Sequence, residues 1–96
     1  MKNEIYGVIA FNSTHHAIKG EKLLKNVENI ITIPTPREIT ASCGLALKFP
    51  LENIAIIVKT IAKEDLDIMG IYKIKREGFN KTAEKISIKE ENIDYE

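Results

Sequence analysis

Chemistry in this chain has to come from few residues. The sequence holds one cysteine, Cys43, and two histidines, His15 and His16, in 96 residues. Cys43 stands one residue from the end of the string Pro34-Thr35-Pro36-Arg37-Glu38-Ile39-Thr40-Ala41-Ser42-Cys43-Gly44, which also carries one of the two arginines. A cation such as Arg37, an imidazole and backbone N–H donors are the surroundings that turn a thiol into a thiolate, the form that attacks or carries sulfur. Gly44 exposes the backbone N–H beside the sulfur or permits a positive φ. The second cluster is Ser13-Thr14-His15-His16. Ser13 and Thr14 suit a helix cap, and the free N–H groups of a helix start favour negative charge.

Each of these residues also has a plain structural reading. Cys43 fits a small buried hydrophobe at the start of a strand. His15 and His16 stand about 100° apart on a helix, so at most one is expected to face Cys43. One thiol and two imidazoles are a partial ligand set, and neither a metal nor a cofactor is expected. Arg37 can pair with Glu38 or with a helix carboxylate, or hold an anion in its guanidinium fork. Ser13 is expected to cap rather than attack, because no Ser–His–acid arrangement is visible in the sequence. Pro34 and Pro36 stiffen the loop.

Composition narrows the classes further. The chain is 44% hydrophobic and 29% charged, with fourteen basic residues balancing fourteen acidic ones. That is a globular mix with no field to attract nucleic acid or an anionic membrane. Tyr6 alone does not make an RNA-stacking surface. A single cysteine excludes an intramolecular disulfide. No apolar run approaches a membrane span, and MKNEIYGVIAF lacks the regions of a signal peptide, so a soluble cytoplasmic domain is expected.

Periodicity supplies the elements that must position these groups. A strand covered on both faces is predicted over 5–11, and a helix over 15–26 with Ala17, Gly20, Leu24 and Val27 on its buried stripe. Gly20 there lets the helix approach a sheet closely. A short strand is predicted over 30–33, and an alternating one over 45–49 with Leu45, Leu47 and Phe49 inward. Pro50 opens a second helix with Leu51, Ile54, Val58 and Ile61 inward. A last strand is predicted over 68–76, with Tyr72 in the core and Ile71 on the opposite face. Strand, helix, strand, strand, helix, strand describes an α+β, ferredoxin-like βαββαβ sandwich, a four-stranded antiparallel sheet with two helices on one face. The expected organisation is a domain over 1–78 and a C-terminal extension over 79–96, either an extra strand or a frayed tail. The open sheet face is apolar enough to require a cover, for which 82–93 and a homodimer partner are the two candidates. This topology brings 12–16 and 34–44 to one rim.

The strings STHHAIKGEKLLK, IPTPREITASCGLALKFP and GIYKI together resemble the Se/S carrier protein-like family of short prokaryotic domains. The likeness runs over roughly 5–74, and the residues after about Glu77 lie outside it. The resemblance implies a persulfide or perselenide carried on Cys43 and transferred to a partner protein, with sulfur-relay proteins or a cysteine desulfurase as partners. Ser13, Thr14, His15, His16, Arg37, Ser42 and Gly44 are the expected binding or activating residues around it. With no resolving thiol, a carrier fits better than a dithiol oxidoreductase, and a thiol-dependent enzyme with a histidine as base is the weaker third reading. The alternative is a small-anion-binding or regulatory module on the same rim, with the cysteine incidental.

Overall fold

The computed structural model describes residues 3–27, 29–39, 43–88 and 93–94. The chain runs β1 (Glu4–Ala10), α1 (Thr14–Leu24), β2 (Ile31–Pro34), β3 (Leu45–Phe49), a single 3-10 turn (Leu51–Asn53), α2 (Ile54–Lys63), β4 (Gly70–Glu77), β5 (Asn80–Lys85), β6 (Ser87–Ile88) and β7 (Ile93–Asp94). The main sheet is antiparallel, in the order β2-β3-β1-β4-β5, and β6 pairs with β7 separately.

The sheet therefore has five strands where the sequence predicts four. Asn80–Lys85 (NKTAEK) carries no apolar alternation, because an edge strand can be polar and still satisfy its ladder. Its visible cue is the tight turn before it. Glu77 opposes Asn80 across Gly78 and Phe79, and Gly78 takes φ +61°, a conformation that suits glycine.

Alternation along β1 builds two cores. On one side Ile9 lies between Leu47 and Ile71, and these pack with Phe11, Phe49, Ala17 and Leu24 of α1, and Ile54 and Ile57 of α2. Both helices thus serve the same face. Gly20 faces this core so closely that a Cβ on it would stand 2.7 Å from the Phe11 ring. The inward side of α2 centres on Ile57, and Val58 and Ile61 are half-buried beside it.

On the other side Val8, Ala10, Ala46 and Ile74 are buried together with Ile39, which comes from the loop between β2 and β3. Tyr6, Ile33, Met69, Tyr72 and Ala83 pack around them. The open face predicted from sequence thus has Ile39 of this chain in its cover, and Ala83 of β5 extends the face beside Ile74. The predicted phase of β4 is corrected as well. Ile71 faces the helices, and Tyr72 and Ile74 face away. The apolar letters of IYKIK fit either phase. The register Ile9↔Ile71 and Gly7↔Lys73 decides between them. Lys73 is tolerated on the helix side because its stem lies on the protein while its ammonium reaches Glu84 of β5 at 3.9 Å.

Candidate functional site

Three connections meet at one end of the sheet. Ala10 at the end of β1 opposes Ala46 near the start of β3 and Gly70 at the start of β4. The β1–α1 turn, the β2–β3 loop and the α2–β4 connection are therefore neighbours.

Ser13 is the N-cap of α1, with extended backbone (φ −153°, ψ 160°), and its Oγ accepts the His16 N–H at 3.2 Å. The cap leaves Thr14 in the first turn, where its hydroxyl lies 3.9 Å from Cys43 Sγ. The sulfur also accepts the Leu45 N–H at 3.3 Å and lies 3.3 Å from the Leu45 carbonyl, to which the thiol can donate. Thr35, just past β2, fixes the other side of the loop. Its N–H donates to the Gly44 carbonyl and its hydroxyl to the Cys43 carbonyl, both at 2.9 Å.

Cys43 is buried, with 3% of its surface exposed, and belongs to the helix-side core. The sequence offers two readings, a partly exposed thiol on a rim and a small buried hydrophobe at a strand start, and burial here agrees with the second. The backbone turns the sulfur inward, because Cys43 continues the inward-facing row of Leu45, Leu47 and Phe49 two residues ahead of β3. Gly44 is exposed, a Cβ there would meet nothing within 4 Å, and its φ is not left-handed. Neither steric crowding nor an unusual backbone demands glycine at this position.

The histidines divide. His15 is exposed and lines a shallow groove of about 280 Å³ with Ile18, Lys19 and Lys22. His16 turns back onto its own cap, with Nδ1 2.8 Å from Ser13 Oγ and Nε2 3.5 Å from Asp67 Oδ2. Among the described residues the polar neighbours of the sulfur are Thr14 and Leu45, and neither imidazole is hydrogen-bonded to it. Arg37 is exposed and forms no ion pair with a described residue, and Glu38 pairs instead with Lys81 of β5 at 3.9 Å. Ser42, the remaining expected site residue, lies outside the described residues.

The structure adds Thr35, Leu45 and Asp67 to the neighbourhood. Thr35 stands between two prolines in the sequence, a hint that its side chain serves the loop. Asp67 gives no local signal, since its connection to His16 crosses from the α2–β4 segment to α1. No group of three His, Cys, Asp or Glu placed to hold a metal ion occurs among the described residues. No described helix is long and apolar enough to cross a membrane.

Comparison with curated proteins and with solved structures finds no match to either. A family model does match, over residues 6–73, which runs from β1 into β4 and takes in Ser13, Thr14, Thr35, Cys43 and Gly44. The chain belongs to the family described as "Putative Se/S carrier protein-like".

Proposed function

We propose that Cys43 carries sulfane sulfur or selenium as a persulfide or perselenide and passes it to another protein. The observation that carries this reading is that the chain's one cysteine lies within the family match, with a backbone N–H, that of Leu45, directed at its sulfur. A sulfur anion formed during transfer keeps that donor, and the Thr14 hydroxyl stands within reach as a second. In the loading step the Cys43 thiolate attacks the outer sulfur of a donor persulfide, R–S–SH. A new S–S bond forms on Cys43, the donor's S–S bond breaks, and R–S⁻ leaves with the electron pair. In the unloading step a nucleophile of the acceptor takes the outer sulfur and releases the Cys43 thiolate. No external oxidant is consumed.

Donors of this chemistry are a cysteine desulfurase or another sulfur-relay protein. Because Cys43 is buried, loading requires its loop to open towards the donor, and the bare Cα of Gly44 keeps the neighbouring backbone clear for that approach. Arg37 and His15 are exposed and suited to meet anionic groups of a partner. Ser13 and His16 cap the helix start, and Thr14 holds it against the loop at Cys43. We also read β2-β3-β1-β4 as a ferredoxin-like sandwich to which β5 and the segments after it are an addition outside the family match.

Arg37 favours a second reading, a small-anion-binding module, because it presents an exposed guanidinium that no described carboxylate occupies. Intact-mass spectrometry after incubation with a cysteine desulfurase and cysteine separates the two. The carrier gains one sulfur atom, loses it to a reductant, and fails to gain it as Cys43→Ser. A wild-type protein that takes up no sulfur overturns the carrier reading and leaves the anion module.

A further inference from the structure

Ser13, His16 and Asp67 form a nucleophile–base–acid array, and we propose that it makes Ser13 an acylatable nucleophile for anionic esters. This inference is independent of the carrier reading, since Cys43 takes no part in it. Ser13 Oγ accepts the His16 N–H and lies 2.8 Å from His16 Nδ1, so in the tautomer that carries the ring proton on Nε2 the hydroxyl donates to Nδ1. That places a general base at hydrogen-bonding distance from the hydroxyl. With Nδ1 accepting, the ring proton sits on Nε2, which faces Asp67 Oδ2 at 3.5 Å. The carboxylate faces the ring nitrogen away from the serine and so favours the tautomer that the serine needs, the same division of roles as in the serine hydrolases with the two ring nitrogens exchanged.

Two further features belong to a reacting site. The N–H groups of Thr14 and His15 start the helix and have no hydrogen-bond acceptor among the described residues, so they face the end of α1 where Ser13 stands. Donors so placed can receive the oxyanion of a tetrahedral intermediate. The groove lined by His15, Ile18, Lys19 and Lys22 adjoins the array, because the His15 and His16 rings meet edge to face with centroids 5.9 Å apart. Lys19 and Lys22 pair with no described carboxylate, and Ile18 lies exposed between them. An acyl chain ending in a carboxylate fits that combination. Unlike Cys43, Ser13 and His16 are only half-buried and can be reached from solution.

In the acylation step Ser13 Oγ bonds to the ester carbonyl carbon and its proton passes to His16 Nδ1. The carbonyl electrons move onto oxygen, then return as the C–O bond to the alcohol breaks, and the departing alkoxide takes the proton from Nδ1. Water repeats the sequence on the Ser13 ester and releases the acid. Every proton is returned and no redox partner is needed.

The test uses the full chain with the mono-4-nitrophenyl ester of adipic acid, whose carboxylate is too distant to close readily on its own ester, and with neutral 4-nitrophenyl acetate, following nitrophenolate release over a protein-free blank and mapping the adduct by peptide mass spectrometry. The adipoyl adduct is expected on Ser13, and the anionic ester is preferred about fivefold over the blank-corrected neutral one, the scale of an exposed ion pair. Ser13→Asn keeps a capping acceptor, so its thermal unfolding stays close to wild type while the Ser13 adduct is lost. His16→Ala lowers the acylation rate by about 100-fold or more. Asp67 acts as a positioning residue, so Asp67→Asn lowers the maximal rate and leaves the half-saturating ester concentration unchanged. An adduct confined to His15, Lys19 or Cys43 in the wild-type protein overturns the proposal, as does a folded Ser13→Asn variant with undiminished release.

Discussion

The hydroxyl of Thr35 donates to the carbonyl oxygen of Cys43 at 2.9 Å, across eight residues of sequence, and so ties the end of β2 to the residue that carries the thiol. Together with the bond from the Thr35 N–H to the Gly44 carbonyl, it closes the base of the loop and holds the sulfur inward beside Thr14. The loop's other anchor is Ile39, buried on the far side of the sheet. The loop is thus anchored at Cys43's own carbonyl by Thr35 and on the opposite face of the sheet by Ile39.

Replacing Thr35 with valine removes one of these ties while keeping the shape of the side chain. A net hydrogen bond is worth about 1 kcal/mol, and urea unfolding should register a loss of that size. The alkylation rate of Cys43 by iodoacetamide in native buffer should rise several-fold over wild type. An unchanged alkylation rate in a folded variant would show that Thr35 does not control the sulfur.

Gly20 and Gly44 make a contrast that one experiment resolves. Gly20→Ala drives a methyl group into the Phe11 ring, at 2.7 and 2.9 Å from its carbons, and should destabilise by about 1–3 kcal/mol. Gly44→Ala meets nothing and needs no unusual backbone, so stability should hold or rise by about 0.4–1 kcal/mol. On the carrier reading, Gly44→Ala nevertheless slows sulfur uptake by crowding the approach. Thermal unfolding of the two variants in parallel checks the order, and equal losses at both positions would contradict this account of the packing.

Ile39→Ala empties a site among Val8, Ala10, Ala46 and Ile74, and the loss expected for a large aliphatic residue so buried is about 2–5 kcal/mol. Ile31→Ala, at an exposed position on the edge strand, serves as the control and should change stability by less than about 0.5 kcal/mol. Equal effects in urea titrations would mean that the loop does not pack on the sheet in solution.

Local periodicity, read without any coordinates, determined the order of the first six elements, because each strand and helix up to β4 carries its own pattern. The α1 stripe of Ala17, Gly20 and Leu24 is buried as its spacing predicts, and Gly20 meets Phe11 as a close approach requires. The convergence of Thr14 and Cys43 followed from topology alone, since strand direction dictates which loops share an end. Sequence strings also sufficed to identify the family. Where the pattern was silent or ambiguous, only tertiary structure could decide. NKTAEK has no apolar face to reveal it as a strand, and it pairs because β4 offers a free edge. Ile71, Tyr72 and Ile74 fit either phase until Ile9 selects one through its register. Whether the Cys43 sulfur faces water or core depends on how the loop meets β3, a property no window of sequence contains. The link from His16 to Asp67 spans two elements whose proximity exists only once both helices have packed on the same face of the sheet.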